Sequence, residues 1–449
     1  MELYRFRPNF DYVIDELQNN YLFFALPEEL NDPMEGFLNI YWEGDIVLWK
    51  NFLKHYLYTL VYTVFRVYIN PEEINKRLFV RFDEEKFPTK QFQNIFEDIR
   101  ESFFKNKDIK DFLDYLVNTK HHIYFQEMKH YLFFINFPAL SEVLNGFKKH
   151  NILDWNMPQI ERYRIFKKFK AIMPMLEKQY PEYIKKIFDI SQEVKGRIDL
   201  SFKMSTDPDK KGKIKSFFVL DFPDKYIDEV RFLAFATPCV TCFMENYNSS
   251  SAWGHYASSH KGICLIFDDE KEDDKINFYF KTTWGGVFCS TQKVKYQTQY
   301  PENNFFKMLG SLSLFSLDKF WLSDWEGNRS TYLKIGKNFL TDEWRRDYNK
   351  NLSEVFIIKL PDWQNENEHR IVLQKEIVAG DTPESRKFIY DFNLLKGIIF
   401  GLKAADLFKI EVIKIITKKC EELGRKDFKF YQATYNEKTG LIDKTEIRL

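Results

Sequence analysis

Two acidic residues and one basic residue stand at the start of a predicted strand late in the chain. Glu366 and Glu368 are two positions apart, so on an extended chain their side chains face the same side, and Arg370 follows within the strand 369–374. The two glutamates form a local carboxylate patch that Trp363 and Arg370 flank. Glu366 and Glu368 are therefore candidate catalytic residues. The alternative is that they form ordinary surface ion pairs on an edge strand.

A polar segment between two apolar runs supplies a second set of reactive side chains. Trp253 and Tyr256 can stack on a ligand ring. His255 and His260 can titrate near neutral pH, and Lys261 adds a positive charge. Such side chains in a loop between two strands are typical of a binding or catalytic site. We predict a loop here that stacks on and positions a ligand, with His255 as a third candidate catalytic residue.

The two histidines also allow a hydrolytic site. Together with Asp32, Glu35 or Asp268 they would form a metal or general-base cluster that cleaves phosphodiesters. The segment has no His-x-x-x-His or Asp-x-Asp pair, so the fold would have to bring every ligand together. A hydrogen-bonded structural role is the alternative for His255.

The elements that would position these side chains fall into three regions. Residues 1–37 are predicted to form a strand, a helix, a strand and a turn, and 38–230 has the apolar spacing of helices. Residues 231–449 return to strands, followed by a helix over 404–423. The predicted strands of this last region are 238–243, 262–267, 355–359, 369–374, 395–400 and 428–433. We therefore predict an α+β fold in which both termini form a mixed sheet and 38–230 is a large, mostly helical insertion.

The charge of the chain is balanced overall but uneven along it. Lys plus Arg and Asp plus Glu each number 66, so no global field attracts nucleic acid or a membrane. Residues 147–216 contain 17 Lys and Arg against 9 Asp and Glu. This basic region is a candidate surface for a nucleic-acid or protein target, and a solvated helical face is the alternative.

The cysteines and the apolar runs indicate a cytoplasmic protein. There are five cysteines, and the charged N-terminus does not resemble a signal peptide. Cys239 and Cys242 have zinc-knuckle spacing, but alternate cysteines in a strand are normally packed thiols, so we expect no metal. The most apolar stretch, 52–69, is interrupted by charged residues and is too short to cross a bilayer, so we expect no membrane partner.

Taken together, the motifs at the two ends of the chain resemble the bacterial family called domain of unknown function 2971. The residues that carry this resemblance are Tyr4-Arg5-Phe6, Asn31-Asp32-Pro33, Cys242-Phe243-Met244, Trp253 to Ala257, Lys261-Gly262, Phe267-Asp268, Trp363 and Glu366 to Ile371. Met244 departs from the pattern, since the family usually has Ser there, which puts a hydroxyl-dependent role in doubt. The long interval between Pro33 and Cys242 fits an insertion.

The same residues resemble the arrangement found in ADP-ribosyltransferases. In those enzymes an arginine or histidine holds NAD, an aromatic ring stacks on nicotinamide, and a final glutamate stabilises the oxocarbenium-like state. On this model Arg5 would pair with the NAD pyrophosphate and Glu368 would be catalytic. The candidate binding residues are Arg5, Arg7, Asn31, Asp32, Trp253, Tyr256, His260, Lys261 and Arg370. The chain lacks the Ser-Thr-Ser-like strand that this model would favour.

The resemblance implies three functions. Family members resemble accessory or effector genes of bacterial mobile and phage-defence loci. The leading hypothesis is therefore a defence or toxin-like effector enzyme that uses NAD as a substrate and modifies a macromolecular target. A metal-dependent nuclease or hydrolase is the first alternative. A non-catalytic sensor or interaction module of a phage-defence system is the second.

Overall fold

The structure is a computed structural model of the chain. It describes residues 1–32, 34–78, 80–81, 85–153, 166–167, 169–171, 189, 191–197, 200, 210–234, 238–269, 274–282, 285–334, 341–374, 377–378 and 382–448. Most of the basic region 147–216, and Pro33 of the Asn-Asp-Pro motif, lie outside the described residues.

The described chain contains the following strands and α-helices. The strands are β1 (Leu3–Arg7), β2 (Tyr21–Phe23), β3 (Asn39–Trp42), β4 (Ile123–Tyr124), β5 (Cys239–Met244), β6 (Ile263–Phe267), β7 (Asn277–Thr282), β8 (Gly285–Ser290), β9 (Gln292–Lys293), β10 (Lys295–Tyr296), β11 (Glu302–Asn304), β12 (Ile358–Lys359), β13 (Glu368–Leu373), β14 (Lys387–Ile389), β15 (Leu395–Phe400), β16 (Lys429–Tyr435) and β17 (Ile442–Ile447). The α-helices are α1 (Asp11–Asn19), α2 (Ile46–Ile69), α3 (Lys90–Lys105), α4 (Lys107–Asn118), α5 (Phe125–Lys149), α6 (Lys210–Ser216), α7 (Phe222–Ala234), α8 (Ser250–Tyr256), α9 (Leu314–Ser316), α10 (Asp342–Val355) and α11 (Asp406–Leu423).

The chain divides into two compact units. The sheet unit comprises Met1–Leu38, Ala236–Pro301 and Lys350–Leu449, and the helical unit comprises Asn39–Phe235 and Glu302–Asn349. The sequence predicted that 302–349 lie in the C-terminal part of the α+β core. In the structure these residues belong to the helical unit, where β11 pairs with β3 in parallel.

An eight-stranded sheet forms the centre of the sheet unit, in the order β17-β16-β15-β6-β1-β5-β13-β9. Neighbouring strands are antiparallel except β15 and β16, which are parallel. The N-terminal strand β1 lies between two strands from the C-terminal half of the chain. The predicted α+β fold with a mixed sheet from both termini is therefore confirmed.

Both faces of this sheet are covered by apolar side chains. The alternation along β1 sends Leu3 into one core cluster and Tyr4 and Phe6 into another. All five residues of β6 are buried, as expected for an interior strand with both faces covered. The central strands thus form a rigid base for polar residues at their ends.

The helical unit is built around α2, most of whose residues are buried. Its core includes the aromatic side chains of Trp42, Trp49 and Phe52, whose rings contact one another. None of the helices in the described part of the chain combines the length and hydropathy of a membrane span.

The first turn of α2 is held by one carboxylate, and we expect its removal to be costly. Asp45 accepts hydrogen bonds from Val47 N and Leu48 N, both at 3.1 Å, and from the hydroxyls of Ser330 and Thr331. Asp45→Ala should lower the stability of the helical unit by about 2 kcal/mol, the upper range for a helix cap. Thermal unfolding is the measurement. Thr89→Ala, which removes a cap with one backbone contact, should cost less, and an equal loss would contradict the prediction.

Candidate functional site

A cavity opens in the sheet unit where β1 and β5 separate. β1 pairs with β6 at all five of its residues, whereas in the described chain it pairs with β5 only at Tyr4 and Met244. The far end of β5 pairs instead with Ala25, through Val240. Between these two points lies a cavity of about 530 Å³. Its walls come from β1, β5, α8, residues 23–35, and three residues near β13: Lys359, Glu366 and Glu368.

Three carboxylates and two cations form a buried cluster at the β13 side of the cavity. Arg370 holds Glu368 with two hydrogen bonds, Nε to Oε1 at 2.7 Å and Nη2 to Oε2 at 2.9 Å, and also contacts Glu35 at 2.5 Å. Lys359 Nζ lies 2.7 Å from Glu366, 3.0 Å from Glu368 and 3.4 Å from Glu35. This set of Glu35, Lys359, Glu366, Glu368 and Arg370, called the charge cluster below, carries one net negative charge if all five are ionised.

Two carboxylates of the charge cluster titrate in opposite directions. Burial opposes ionisation of Glu368, but the charges and hydrogen bonds of Arg370, with Lys359, outweigh it and lower the pKa of Glu368 to about 2. For Glu35, burial prevails over the attraction of Arg370, and the charge of Glu368 adds to it, so the pKa of Glu35 is raised. Environments that shift the pKa values of two neighbouring acids in opposite directions are typical of sites that need one fixed anion and one exchangeable proton.

The segment predicted as a loop is a short helix, α8. Ser249 caps it by accepting a hydrogen bond from Ala252 N at 3.3 Å, so the helix begins at Ser250, three residues before Trp253. Tyr256, at its end, lines the cavity and donates a hydrogen bond to Glu366 Oε1 at 2.7 Å. Burial and the Glu366 charge raise the pKa of Tyr256, so its hydroxyl stays protonated. Tyr256 therefore joins α8 to the charge cluster.

The other members of this segment occupy different positions. Trp253 is fully buried, donates its indole N–H to Tyr247 O at 2.7 Å and packs edge-on against Phe6. It lies in the core and does not line the cavity. His255 is exposed and lines the cavity. His260 has a left-handed backbone (φ 69°) and its ring lies parallel to that of Trp253, while Lys261 is exposed outside the cavity lining.

Arg5 closes the gap between the separated strands. Its guanidinium donates to Thr241 Oγ1, and to the carbonyl oxygens of Cys242 and Phe23, both at 3.2 Å. The two carbonyl oxygens are groups that strand pairing would otherwise satisfy. Burial, with the nearby charge of Arg7, lowers the pKa of Arg5 to about 10. Arg5 lines the cavity, as the resemblance implied. Most of its N–H groups, however, donate hydrogen bonds to other residues of the protein.

Arg7 is more available to a ligand than Arg5. It forms an ion pair with the buried Glu16 and lies 5.4 Å from the centre of the Tyr12 ring. Its side chain is partly exposed on the cavity wall, as is Asn31. Asp32 is buried and accepts a hydrogen bond from Met34 N at 2.9 Å, which is a turn contact, and it does not line the cavity.

One comparison with known proteins gives a match. Residues 252–371 match the family described as "Protein of unknown function (DUF2971)". Over this range the chain is similar to DUF2971. The resemblance predicted from the sequence is therefore confirmed for this range. No curated protein and no solved structure matches the chain.

The DUF2971 match contains one side of the cavity. His255, Tyr256, Lys359, Glu366 and Glu368 fall inside it. Arg5, Arg7, Asn31 and Glu35, as well as the Cys242-Phe243-Met244 motif, precede it. The cavity therefore combines the DUF2971 segment with the N-terminal strand and turn.

Lys359 was not predicted to be a site residue, although the residues around it indicate a buried ion pair. Lys359 lies in the run Val355 to Leu360, whose other residues are apolar. A lysine in a buried apolar run is almost always paired with an acid, and here three acids contact it. The sequence around Glu16 contains no comparable indication of a buried ion pair. Its partner Arg5 lies on β1 and comes close only because α1 packs on that strand.

A metal site receives no support from the described residues. Within them, no group of three or more His, Cys, Asp or Glu side chains is placed to hold a metal ion. Cys239 and Cys242 both lie on β5, and Cys239 is packed in the apolar core. Burial raises the pKa of Cys242, which keeps its thiol protonated.

Proposed function

We propose that the sheet unit is an NAD-using transferase that resembles ADP-ribosyltransferases and serves as a bacterial defence or toxin-like effector. One observation carries this proposal. Arginines from β1 and carboxylates next to β13 line the same cavity, together with the aromatic ring of Tyr256. The volume of about 530 Å³ lies in the range of small-molecule sites.

The charges of the cavity suit a bipolar substrate. NAD carries a negative pyrophosphate and a positively charged nicotinamide–ribose linkage. Arg7 on the β1 side lines the cavity and its side chain is 16% exposed, so it can form hydrogen bonds with the pyrophosphate while it remains paired with Glu16. The charge cluster lies toward β13, and the fixed negative charge of Glu368 within it favours the cationic end. Tyr256 supplies a ring beside it.

The two glutamates have different tasks in the proposed reaction. The C–N bond between ribose and nicotinamide breaks, and nicotinamide leaves with the bonding electrons. Glu368, held ionised by Arg370, is a fixed negative charge that stabilises the positive charge on the ribose. Glu366 is less buried, and it accepts the proton of the target nucleophile as that group bonds to the ribose.

Glu366→Gln tests this assignment. We expect NAD turnover to fall at least about 100-fold, the usual contribution of a general base, because the amide cannot take the proton. The measurement is release of nicotinamide and transfer of label from NAD in the presence of bacterial lysate. Glu384→Gln, at an exposed position of the same unit, is the control and should retain wild-type turnover. Equal activity of Glu366→Gln and wild type, or a wild type that neither consumes NAD nor transfers label, would contradict the proposal.

A further inference from the structure

The helical unit contains two adjoining cavities that form a groove. Their volumes are about 490 and 580 Å³, and they share Glu85, Lys319 and Phe320. The groove runs from Trp325 and Arg100 at one end to Lys90 and Gln93 at the other. We call it the lysine–aromatic groove. It is a different site from the cavity of the sheet unit.

Aromatic rings and cations alternate along this groove. Arg100 lies 5.1 Å from the centre of the Trp325 ring. Lys319 lies 5.1 Å from the Phe320 ring and 5.3 Å from the Phe315 ring. Phe315 is 68% exposed, so most of its ring faces solvent. An exposed ring beside a lysine provides a surface on which a planar group can stack.

Each acid that lines the groove in the described chain forms an ion pair, and Lys50, the partner of Asp324, also pairs with Glu326 at 2.7 Å. Glu85 pairs with Lys54 at 2.6 Å, Asp324 with Lys50 at 3.3 Å, and Asp318 with Arg329.

Several described cations that line the groove take no part in these three pairs. Arg100 and Lys319 form no ion pair with any described residue, and Arg100 Nε is buried without a hydrogen-bond partner in that part of the chain. Among the described residues that line the groove, five are cations and three are acids, which gives a local positive surplus in a chain whose net charge is zero.

We propose that the lysine–aromatic groove binds single-stranded nucleic acid. Lys319 and Arg100 would contact phosphates, and a base would stack on Phe315. A single strand suits the groove because its bases are free to stack on side chains, whereas those of a duplex are stacked on each other. Charge alone would also attract a peptide made of Asp and Glu, but the side chains of such a peptide carry no aromatic ring to stack on the exposed ring of Phe315. Phe315 therefore favours a nucleic acid.

Fluorescence anisotropy with labelled 12-mers of uridine and of thymidine tests the proposal and separates RNA from DNA. Wild-type protein should bind one or both at 50 mM salt, more weakly at 200 mM. Phe315→Ala should raise Kd roughly tenfold, the loss expected for one base–ring stack. Lys319→Ala should reduce the slope of log Kd against log salt by about 0.7, the value for one phosphate contact on a single strand.

Two exposed residues of the sheet unit serve as controls. Phe288→Ala removes a ring that is 80% exposed, and Lys418→Ala removes an exposed lysine. Both should leave Kd unchanged. Phe315 and Lys319 are themselves exposed, so their variants are expected to fold. The proposal is overturned if wild type does not bind either oligomer, if the groove variants bind like the controls, or if polyglutamate binds as well as the oligomers and Phe315→Ala has no effect.

Discussion

Arg370→Met is expected to lower the thermal unfolding temperature at pH 7.5 by on the order of 10 °C. Arg370 is 1% exposed and neutralises both Glu368 and Glu35. Without it, three carboxylates would share the single cation Lys359 within the charge cluster. Removing one partner of a buried ion pair costs about 3–5 kcal/mol, because the remaining charge stays buried and uncompensated.

The pH dependence distinguishes this mechanism from a simple packing defect. In the wild type the depressed pKa of Glu368 contributes stability that is present above its unfolded pKa and lost only as pH falls through about 2. In Arg370→Met, burial would dominate and raise the pKa values of Glu368 and Glu35. A group with a raised pKa stabilises the fold below its unfolded pKa and loses that contribution as pH rises. The deficit of the variant should therefore be smaller at pH 5 than at pH 8.

Differential scanning fluorimetry at the two pH values measures this difference. Arg386→Met is the matched control, since the acid partner of Arg386, Glu29, is 40% exposed and would remain hydrated. The control should show a smaller loss that changes little with pH. A deficit of Arg370→Met that is the same at pH 5 and pH 8 would show that the carboxylates do not cause it.

Gly262→Ala is expected to destabilise the sheet unit by about 3 kcal/mol, the upper range for overpacking. A Cβ at this position would lie 2.1 Å from Arg7 O and 3.0 Å from Pro8 Cα. Both are backbone atoms, so no side chain can rotate away. The methyl group would push β6 from the end of β1, where Arg7 lines the cavity. We therefore also expect weaker binding of NAD, if NAD is the substrate, in a thermal-shift titration.

Gly254→Ala provides a control within the same DUF2971 segment. No heavy atom lies within 4 Å of a Cβ at Gly254, which is in the middle of α8. Alanine loses less conformational freedom than glycine in a helix, so this variant should be more stable by about 0.5–1 kcal/mol. Opposite shifts in unfolding temperature for the two variants are the expected result. Shifts of the same sign and size would contradict the close approach of Gly262 to β1.

Strong local patterns made several elements predictable from sequence. The predicted strands 262–267 and 395–400 agree with β6 and β15 within one residue, and the helix predicted over 404–423 agrees with α11. Residues 263–267 and 398–400 are short apolar runs typical of buried strands, and apolar residues three and four apart, such as Phe408, Val412 and Ile416, predict the helix. The predicted strand 355–359 was less accurate, because α10 ends at Val355 and β12 holds only the last two residues. A short apolar run fits either element.

The sequence by itself determined the α+β class, the DUF2971 segment, and the two charged motifs that reach the cavity, Arg5 and Glu368. Only the tertiary structure decided how those motifs are used. It pairs Arg370 with Glu35, although the two residues are far apart in the sequence. It also buries Trp253 in the core, whereas Tyr256 lines the cavity. The physical reason is that β1 lies between β5 and β6. Long-range strand pairing sets which buried charges meet, and local residue spacing carries no record of that pairing.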